Sequence, residues 1–334
     1  MCRHSVIVSA SLHHRYGLSL AVRATFASTT PGQREYSDTV TFAHGRMESK
    51  ITHVIENLEA SSDSNGCLSQ ANRNGLDSLG ALLKELIPYI NDNSVSEKSP
   101  LSSFVALQDS FQYNLTASLL NVYKVSAPGS PGSENHILKA NTLLQGLLLL
   151  HPASRKLFSR RENMNLILSP LRKANNPSIN LSISLISTLV HILLKNLGNF
   201  RMFEKCGGCT TVIEHLNLLA LEQQNEQQHQ RISDGSASPA TQHDDDNPIS
   251  NSTTLSFHTA MSNETIKLRA SQQQDLNFKL IEFLIFYLVD EKEVNFDDDT
   301  SASKLSIGSK TDLFRDQFPE IDSLVENLNE LKNV

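Results

Sequence analysis

Two segments of this chain repeat the same order of residue types at a separation of 45 positions. When residues 148–171 are laid over residues 193–216, Phe158 falls on Phe203, and a basic residue stands two positions before each phenylalanine. Each segment reads as an apolar helix, a polar break, a short helix with the phenylalanine, a turn and a second apolar helix. In the second segment the turn is Cys206–Cys209, whose two central glycines allow the chain to reverse. Such a unit cannot bury its own apolar face, so neighbouring units must stack.

The period and layout predict an all-α fold of armadillo or HEAT-like helical repeats, which is an α-solenoid, with disordered insertions. The composition agrees, because 47 Leu, no Trp and 6% aromatic residues favour helix packing over a β-sandwich. The alternating pattern of residues 179–186 resembles a strand, but no Gly or Asn turn pairs it into a hairpin. We interpret it as a buried helix. The apolar fraction of 39% is low for a fully folded chain and predicts that part of it is disordered.

The helical pattern divides the chain from residue 47 onward. Residues 47–221 predict the repeat domain, and the Gln-, Ser- and Asp-rich residues 222–262 predict a disordered polar insertion. Residues 263–290 predict a core helix that completes the domain, because they are apolar on nearly every side from Leu276 to Val289. We expect an acidic loop over residues 291–311 and a C-terminal amphipathic helix over 312–334. The expected apolar face of that helix is Leu313, Leu324, Val325, Leu328 and Leu331.

Residues 1–46 carry five Arg, two acidic residues and no Lys, a composition found in organelle transit peptides. The alternative is a disordered tail, or an upstream extension that is not translated, with Met47 as the functional start. We favour that alternative over mitochondrial targeting.

Charge and cysteine content exclude several classes of protein. The net charge of −7 combines +3 over residues 1–46, +2 over 47–221 and −12 over 222–334, which argues against a general nucleic-acid binder. No apolar run reaches the roughly 20 residues needed to span a bilayer. Four Cys in 334 residues cannot form a disulfide framework, so we expect a reducing compartment such as the cytoplasm.

Two cysteine motifs suggest thiol chemistry. Cys67 and Arg73 have the Cys-x5-Arg spacing of a phosphatase loop, but the loop interior lacks Gly and no strand pattern precedes it. Cys206 and Cys209 have dithiol spacing, yet no βαβ pattern surrounds them and no second Cys/His pair has zinc-ligand spacing. We interpret the second motif as a turn with small buried thiols.

Other polar residues have simple structural interpretations. His191 lies on the apolar face of a helical pattern, which is typical of a core or groove histidine. Asp244–Asp246 and Asp297–Asp299 lack calcium-loop spacing, so we interpret them as solvated charge. The sequence contains no nucleotide-binding or hydrolase motif. We therefore expect no catalytic residue, no cofactor and no metal.

A basic cluster is the candidate binding site. Glu162 is its one internal acid, and the cluster predicts either a docking surface for an acidic or phosphorylated segment or a solvated helix face. Its residues are Arg155, Lys156, Arg160, Arg161, Arg172 and Lys173.

Four Ser-Pro pairs are candidate phosphorylation sites. They begin at Ser99, Ser130, Ser169 and Ser238, and we favour Ser130 and Ser238 because these lie in predicted disordered stretches.

Three stretches resemble one known family: ILKANTLLQGLLLLHPASRKLFSRRENMNLILSPL (137–171), TLVHILLKNLGNFRMFEKCGGCTTVIEHL (188–216) and KLIEFLIFYLVDE (279–291). Their HPASRKLF, NFRMFEKCGGC and EFLIFYL segments are similar to the fungal cell division control protein 14 family. That family belongs to the septation initiation network and is unrelated to the phosphatase of the same name. Looser similarity runs from about Met47 to the C-terminus, and residues 1–46 and 222–262 depart from it.

The resemblance implies a non-catalytic subunit that binds and activates a germinal-centre (Ste20-like) protein kinase. That complex would act at the spindle pole body to promote septum formation and cytokinesis. Two alternatives stay open, a helical-repeat scaffold for another peptide partner and a thiol-dependent enzyme. The oligomeric state stays undetermined at this stage.

Overall fold

Helices account for the regular structure of the computed structural model, which describes residues 34–62, 68–90, 99–126, 133–217, 253–297 and 302–332. No strand occurs in these ranges, which confirms the predicted all-α class. The chain divides into two units, Met1–Phe42 and Ala43–Val334. In the first unit only the helical backbone from Arg34 is described, so most of the predicted N-terminal extension lies outside the described residues.

Twelve α-helices lie in the described ranges, joined in places by short 3-10 helices. They are α1 (Arg34–Leu58), α2 (Gln70–Leu86), α3 (Pro100–Gln108), α4 (Leu115–Val125), α5 (Ser133–Leu150), α6 (Arg161–Leu171), α7 (Ile179–Leu193), α8 (Leu197–Lys205), α9 (Gly208–Ile213), α10 (Thr253–Tyr287), α11 (Ile307–Arg315) and α12 (Ile321–Lys332). The 3-10 helices are Ile87–Tyr89, Phe111–Tyr113, Pro152–Ser159 and Lys173–Asn175.

Local sequence explains most helix ends. In the described residues, the side chains of six capping residues accept a hydrogen bond from a backbone N–H in the first turn, which stabilises the start of the helix. These residues are Ser69, Ser99, Asn114, Ser178, Asn196 and Ser306. Helix α5 ends before His151-Pro152, and the alternating residues 179–186 lie in helix α7, so both predictions are confirmed.

The helices of the second unit form two adjacent rows. Along one row α2 contacts α5, α5 contacts α7 and α7 contacts α10. Along the other α4 contacts α6, α6 contacts α9 and α9 contacts α11. Contacts of α4 with α5 and of α6 with α7 join the rows, and the core of Leu, Ile and Phe side chains lies between them.

The two matched segments fold into the same order of elements. Helix α5, the 3-10 helix Pro152–Ser159 and α6 form the first, and α7, α8 and α9 form the second. The equivalent residues Phe158 and Phe203 are both fully buried. Between α8 and α9, Gly207 has a φ of +73°, a left-handed conformation that favours glycine. The predicted turn at Cys206–Cys209 is therefore confirmed.

The C-terminal part differs from its predicted outline. Helix α10 begins at Thr253, inside the segment predicted to be a disordered insertion, whose residues 222–252 lie outside the described residues. Helix α11 begins at Ile307, inside the predicted acidic loop, because Ser306 caps it. The predicted single helix over 312–334 is wrong, since the chain breaks between α11 and α12 around Pro319.

The expected apolar face of the C-terminal helix is also wrong in part. Leu313 is exposed, whereas Phe314, Phe318 and Ile321 are buried. The break between the two helices changes the register, so the residues that face the core are those beside the break. Leu324 and Val325 are half-buried and pack against the core, and Leu328 and Leu331 are outside the described side chains.

Candidate functional site

The predicted basic cluster is divided between the two ends of helix α6. Lys156, Arg160 and Arg161 lie at or just before its first residue, and we call them the N-terminal basic group. Arg172 and Lys173 follow its last residue, and we call them the C-terminal basic pair. An α-helix rises 1.5 Å per residue, so the 11 residues of α6 separate the two sets by about 16 Å.

All five of these side chains are exposed. None forms an ion pair with an acidic group in the described part of the chain, and Lys173 contacts the Glu214 carbonyl oxygen at 3.4 Å. The three side chains of the N-terminal basic group therefore present unpaired positive charge to solvent.

Arg155, the first residue of the predicted cluster, has a different environment. Its guanidinium is buried and donates to the carbonyl oxygens of Leu148 at 3.0 Å and Leu194 at 3.2 Å. Burial lowers the pKa of Arg155, and the Asp297 carboxylate, 3.8 Å away, acts in the opposite direction. Arg155 therefore ties the ends of α5 and α7 together, and the surface within reach of a partner consists of the other five residues.

Asp297 has a structural role that its sequence context did not predict. Its backbone N–H donates to the Lys195 carbonyl oxygen at 2.8 Å, while its carboxylate faces Arg155. The Asp297 side chain is 58% exposed, which agrees with its interpretation as solvated charge, but it also pairs with Arg155. Asp298, Asp299 and Asp244–Asp246 lie outside the described residues.

A buried charge network connects helix α8 to the C-terminal segment. The Glu291 carboxylate is 1% exposed and lies 2.5 Å from the Arg201 guanidinium and 3.0 Å from the Lys310 ammonium. Lys310, also 1% exposed, donates to the carbonyl oxygens of Tyr287 at 2.7 Å and Val289 at 3.0 Å. The other Glu291 oxygen accepts the backbone N–H of Leu305 at 2.6 Å. The network stabilises the position of α11 against α10.

The cysteine turn borders this network and is unsuited to thiol chemistry at Cys209. Burial raises the pKa of the Cys209 thiol to about 12, although a hydrogen bond to the Tyr287 hydroxyl at 3.6 Å opposes the shift. Because the thiolate is the reactive form, Cys209 is unreactive at neutral pH. Tyr287 donates to Glu204 at 2.6 Å, and burial raises the pKa of both groups. Cys67 of the other motif lies outside the described residues.

The remaining candidate residues have local roles where they are described. Ser99 caps α3, and Ser169 lies within α6 with its side chain partly buried. Ser130 and Ser238 lie outside the described residues. Within the described ranges no helix is long and apolar enough to cross a membrane, and no three metal-ligating side chains converge.

His191 and His215 are held in the neutral state. His191 donates from Nδ1 to the Ser187 carbonyl oxygen at 2.8 Å, and His215 donates from Nε2 to the Leu171 carbonyl oxygen at 2.6 Å. Burial lowers the pKa of both imidazoles, and these hydrogen bonds oppose the shift only in part.

These two histidines predict acid sensitivity. The unfolded chain takes up protons near the ordinary histidine pKa of about 6.5, whereas the folded chain resists protonation, so the unfolded state binds more protons below that pH. The free energy of unfolding should therefore fall between pH 7.5 and 5.5, by at most about 1.4 kcal/mol per histidine per pH unit. Urea denaturation at both pH values measures the loss.

A His191→Gln/His215→Gln variant should lose less stability over this pH range than the parent chain. His53→Gln is the matched control, because His53 is exposed, and its pH dependence should equal that of the parent. Equal pH dependence in all three chains would contradict a role for the buried histidines.

Sequence reasoning missed the residues that hold the C-terminal half together. Arg201 and Lys310 are separated by more than a hundred positions, yet both contact Glu291. Asn199 was also missed, although its Nδ2 donates to the carbonyl oxygens of Arg155 and Ile192, both at 2.8 Å. One available signal was the 45-residue shift, which places Asn199 opposite Ser154, another buried polar residue within a short helix.

Comparison with known proteins assigns this arrangement to a family. No curated protein and no solved structure matches the chain. Residues 67–304 match the family described as Cell division control protein 14, SIN component, where SIN is the septation initiation network. The match covers both matched segments, the N-terminal basic group and Glu291, and it confirms the resemblance found in the sequence. The chain therefore belongs to the Cell division control protein 14 family of septation initiation network components.

Proposed function

We propose that the chain is a non-catalytic regulatory subunit that binds and activates a germinal-centre (Ste20-like) protein kinase. It would act in the septation initiation network at the spindle pole body and promote septum formation and cytokinesis. The observation that carries this proposal is the family match over residues 67–304, which places the chain among the components of that network. The second candidate function is a helical scaffold that binds some other peptide, because the same architecture would suit it.

The two rows of helices support a binding role. Each helix of a row contacts its neighbour in chain order, and each of the two matched segments adds one helix to each row. We propose that this arrangement is an armadillo or HEAT-like solenoid, completed by α10 and extended by α11 and α12. Solenoids of this kind use extended surfaces to bind partners.

The N-terminal basic group is the docking surface that we propose for the kinase. Lys156, Arg160 and Arg161 are exposed, unpaired within the described residues and close in sequence. Such a group attracts an acidic or phosphorylated segment, and charge of this kind raises the association rate and the specificity. A charge-based contact of this kind weakens as salt is added.

Binding can be measured with the purified full chain and the purified Ste20-like kinase. Charge reversal of Lys156, Arg160 and Arg161 to Glu should weaken kinase binding at least about tenfold, equivalent to about 1.4 kcal/mol. The loss should be largest at low ionic strength. Calorimetry gives the Kd, and phosphate transfer to a generic substrate with and without the chain gives the activation.

Arg172→Glu/Lys173→Glu is the matched control, because this pair lies at the other end of α6 and should leave binding unchanged. Equal weakening by both variants would indicate a general charge effect and would overturn the proposed docking surface. A chain that binds the kinase without activating it would overturn the regulatory role. If the chain binds no Ste20-like kinase, the proposed function is wrong and the scaffold for another peptide is the better candidate.

A further inference from the structure

Helix α10 has more apolar surface than the fold buries. The sequence indicates a core helix that is apolar on nearly every side, yet Phe278 is 56% exposed and Ile285 is 41% exposed. Nearly three turns before Phe278 in the same helix, Leu268 is 60% exposed. The opposite side of the helix is buried, through Leu276, Leu280, Leu284 and Tyr287 among others.

The exposed side chains lie on one line along the helix. Starting from Leu268, successive spacings of three and four residues define a stripe on α10, and this alternation keeps residues on one face of an α-helix. We call it the α10 stripe, and it consists of Leu268, Ser271, Asp275, Phe278, Glu282 and Ile285. At 1.5 Å per residue it extends for about 26 Å.

The position of α10 in its row leaves the stripe without a neighbouring helix in the described part of the chain. Helix α7 contacts the buried side of α10, and α11 is held at the C-terminal end through Lys310 and the Tyr287 carbonyl oxygen. A terminal helix in a stack is usually polar on its outer side, because its apolar residues would otherwise face water. The three large apolar residues on that side fall at a and d positions of one heptad register, which indicates a surface that another helix covers.

The charged residues of the stripe indicate which charge a partner helix would carry. Asp275 is exposed, and Glu282 is partly exposed and pairs with Lys279 at 2.6 Å. The stripe itself contains no basic residue. If the stripes of two copies of this chain packed together, the contact would contain four acidic side chains and no basic side chain from either stripe. A partner with basic residues beside its apolar line complements both features.

We propose that the α10 stripe binds an amphipathic α-helix of another protein, with its apolar residues against Leu268, Phe278 and Ile285 and its basic residues beside Asp275 and Glu282. This surface is separate from the N-terminal basic group and would be used in addition to the proposed kinase contact. In this kind of helix–helix recognition, apolar side chains at a and d positions supply affinity and the charged side chains beside them supply selectivity.

The test uses the full chain and a synthetic helical peptide of three heptads, with Leu at positions a and d and Lys at e and g. Fluorescence anisotropy should detect binding, and Phe278→Ser/Ile285→Ser should weaken it at least about tenfold, equivalent to about 1.4 kcal/mol. Leu313→Ser is the matched control, because Leu313 is 42% exposed on α11, outside the stripe, and should leave binding unchanged. A peptide with Glu in place of Lys should bind at least about tenfold more weakly.

Several results would overturn the proposal. The Lys peptide could fail to bind, or could bind the Phe278→Ser/Ile285→Ser chain as tightly as the parent. A Glu peptide of equal affinity would remove the role of Asp275 and Glu282. Light scattering after gel filtration provides a separate check, since a dimer of the parent chain that dissociates in the stripe variant would show that a second copy covers the stripe. Circular dichroism of each variant confirms that its helices are intact.

Discussion

Replacing Glu291 with Gln is expected to lower the free energy of unfolding by about 3–5 kcal/mol. The amide keeps the shape of the side chain but removes the negative charge that faces Arg201 and Lys310. The Lys310 ammonium, 1% exposed, would then be buried with carbonyl oxygens and no close counter-ion. Because a buried charge without its partner is far more costly than an exposed one, the effect should be among the largest for one substitution in this chain. Urea denaturation of the full chain measures it.

Glu293→Gln is the matched control for this substitution. Glu293 is exposed two positions further along the same segment, so the same chemical change should alter the free energy of unfolding by less than about 0.5 kcal/mol. Adding Lys310→Met to Glu291→Gln should restore part of the loss, since it removes the unpaired ammonium. If Glu291→Gln and Glu293→Gln cost the same, the network does not stabilise the C-terminal segment.

Replacing Phe203 with Ala should also cost about 3–5 kcal/mol. The ring is fully buried, and its centroid lies 5.8 Å from the rings of both Phe283 and Tyr287. Removing it leaves a cavity between α8 and α10, because both of these rings belong to α10, which cannot move into the space without losing its packing against α7. Thermal or urea denaturation measures the loss, with Phe111→Ala as the control. Phe111 is 87% exposed, so its removal should cost less than about 0.5 kcal/mol.

Gly208 provides an independent check on the position of the Phe203 ring. A Cβ added at Gly208 would lie 2.2 Å from the Phe203 ring, closer than two carbon atoms can approach. Gly208→Ala should therefore destabilise the parent chain but have a much smaller effect in a chain that already carries Phe203→Ala. Additive costs in the double variant would contradict this contact.

Most of the helices in the described ranges could be predicted from sequence, because their signals are local. The Leu-rich stripe of α5, its stop at His151-Pro152 and the glycine turn at Gly207 depend on neighbours a few residues away. The equivalence of Phe158 and Phe203 followed from the 45-residue period. The start of helix α11 was missed because the residues before 312 read as a polar loop, whereas its core residue Phe314, inside the predicted helix, packs on Tyr287 with ring centroids 5.4 Å apart.

The candidate site was predictable only in outline. Adjacent residues in the sequence have opposite environments, since Arg155 is buried while Lys156 is exposed. The cluster of six basic residues is divided by the length of α6, which a list of charges along the chain cannot show. Similarly, the apolar character of α10 predicted a core helix. One face of α10 packs against α7, and only this packing shows that the stripe on another face is exposed.

The sequence by itself determined the all-α class, the family, the 45-residue period and the residues that begin and end most helices. These properties depend on composition and on contacts within a few turns of one helix. The tertiary structure decided which charges are buried together and which reach solvent. Glu291, Arg201 and Lys310 meet because three separate elements pack at one point, and burial of a side chain is a property of that packing and not of its neighbours in sequence.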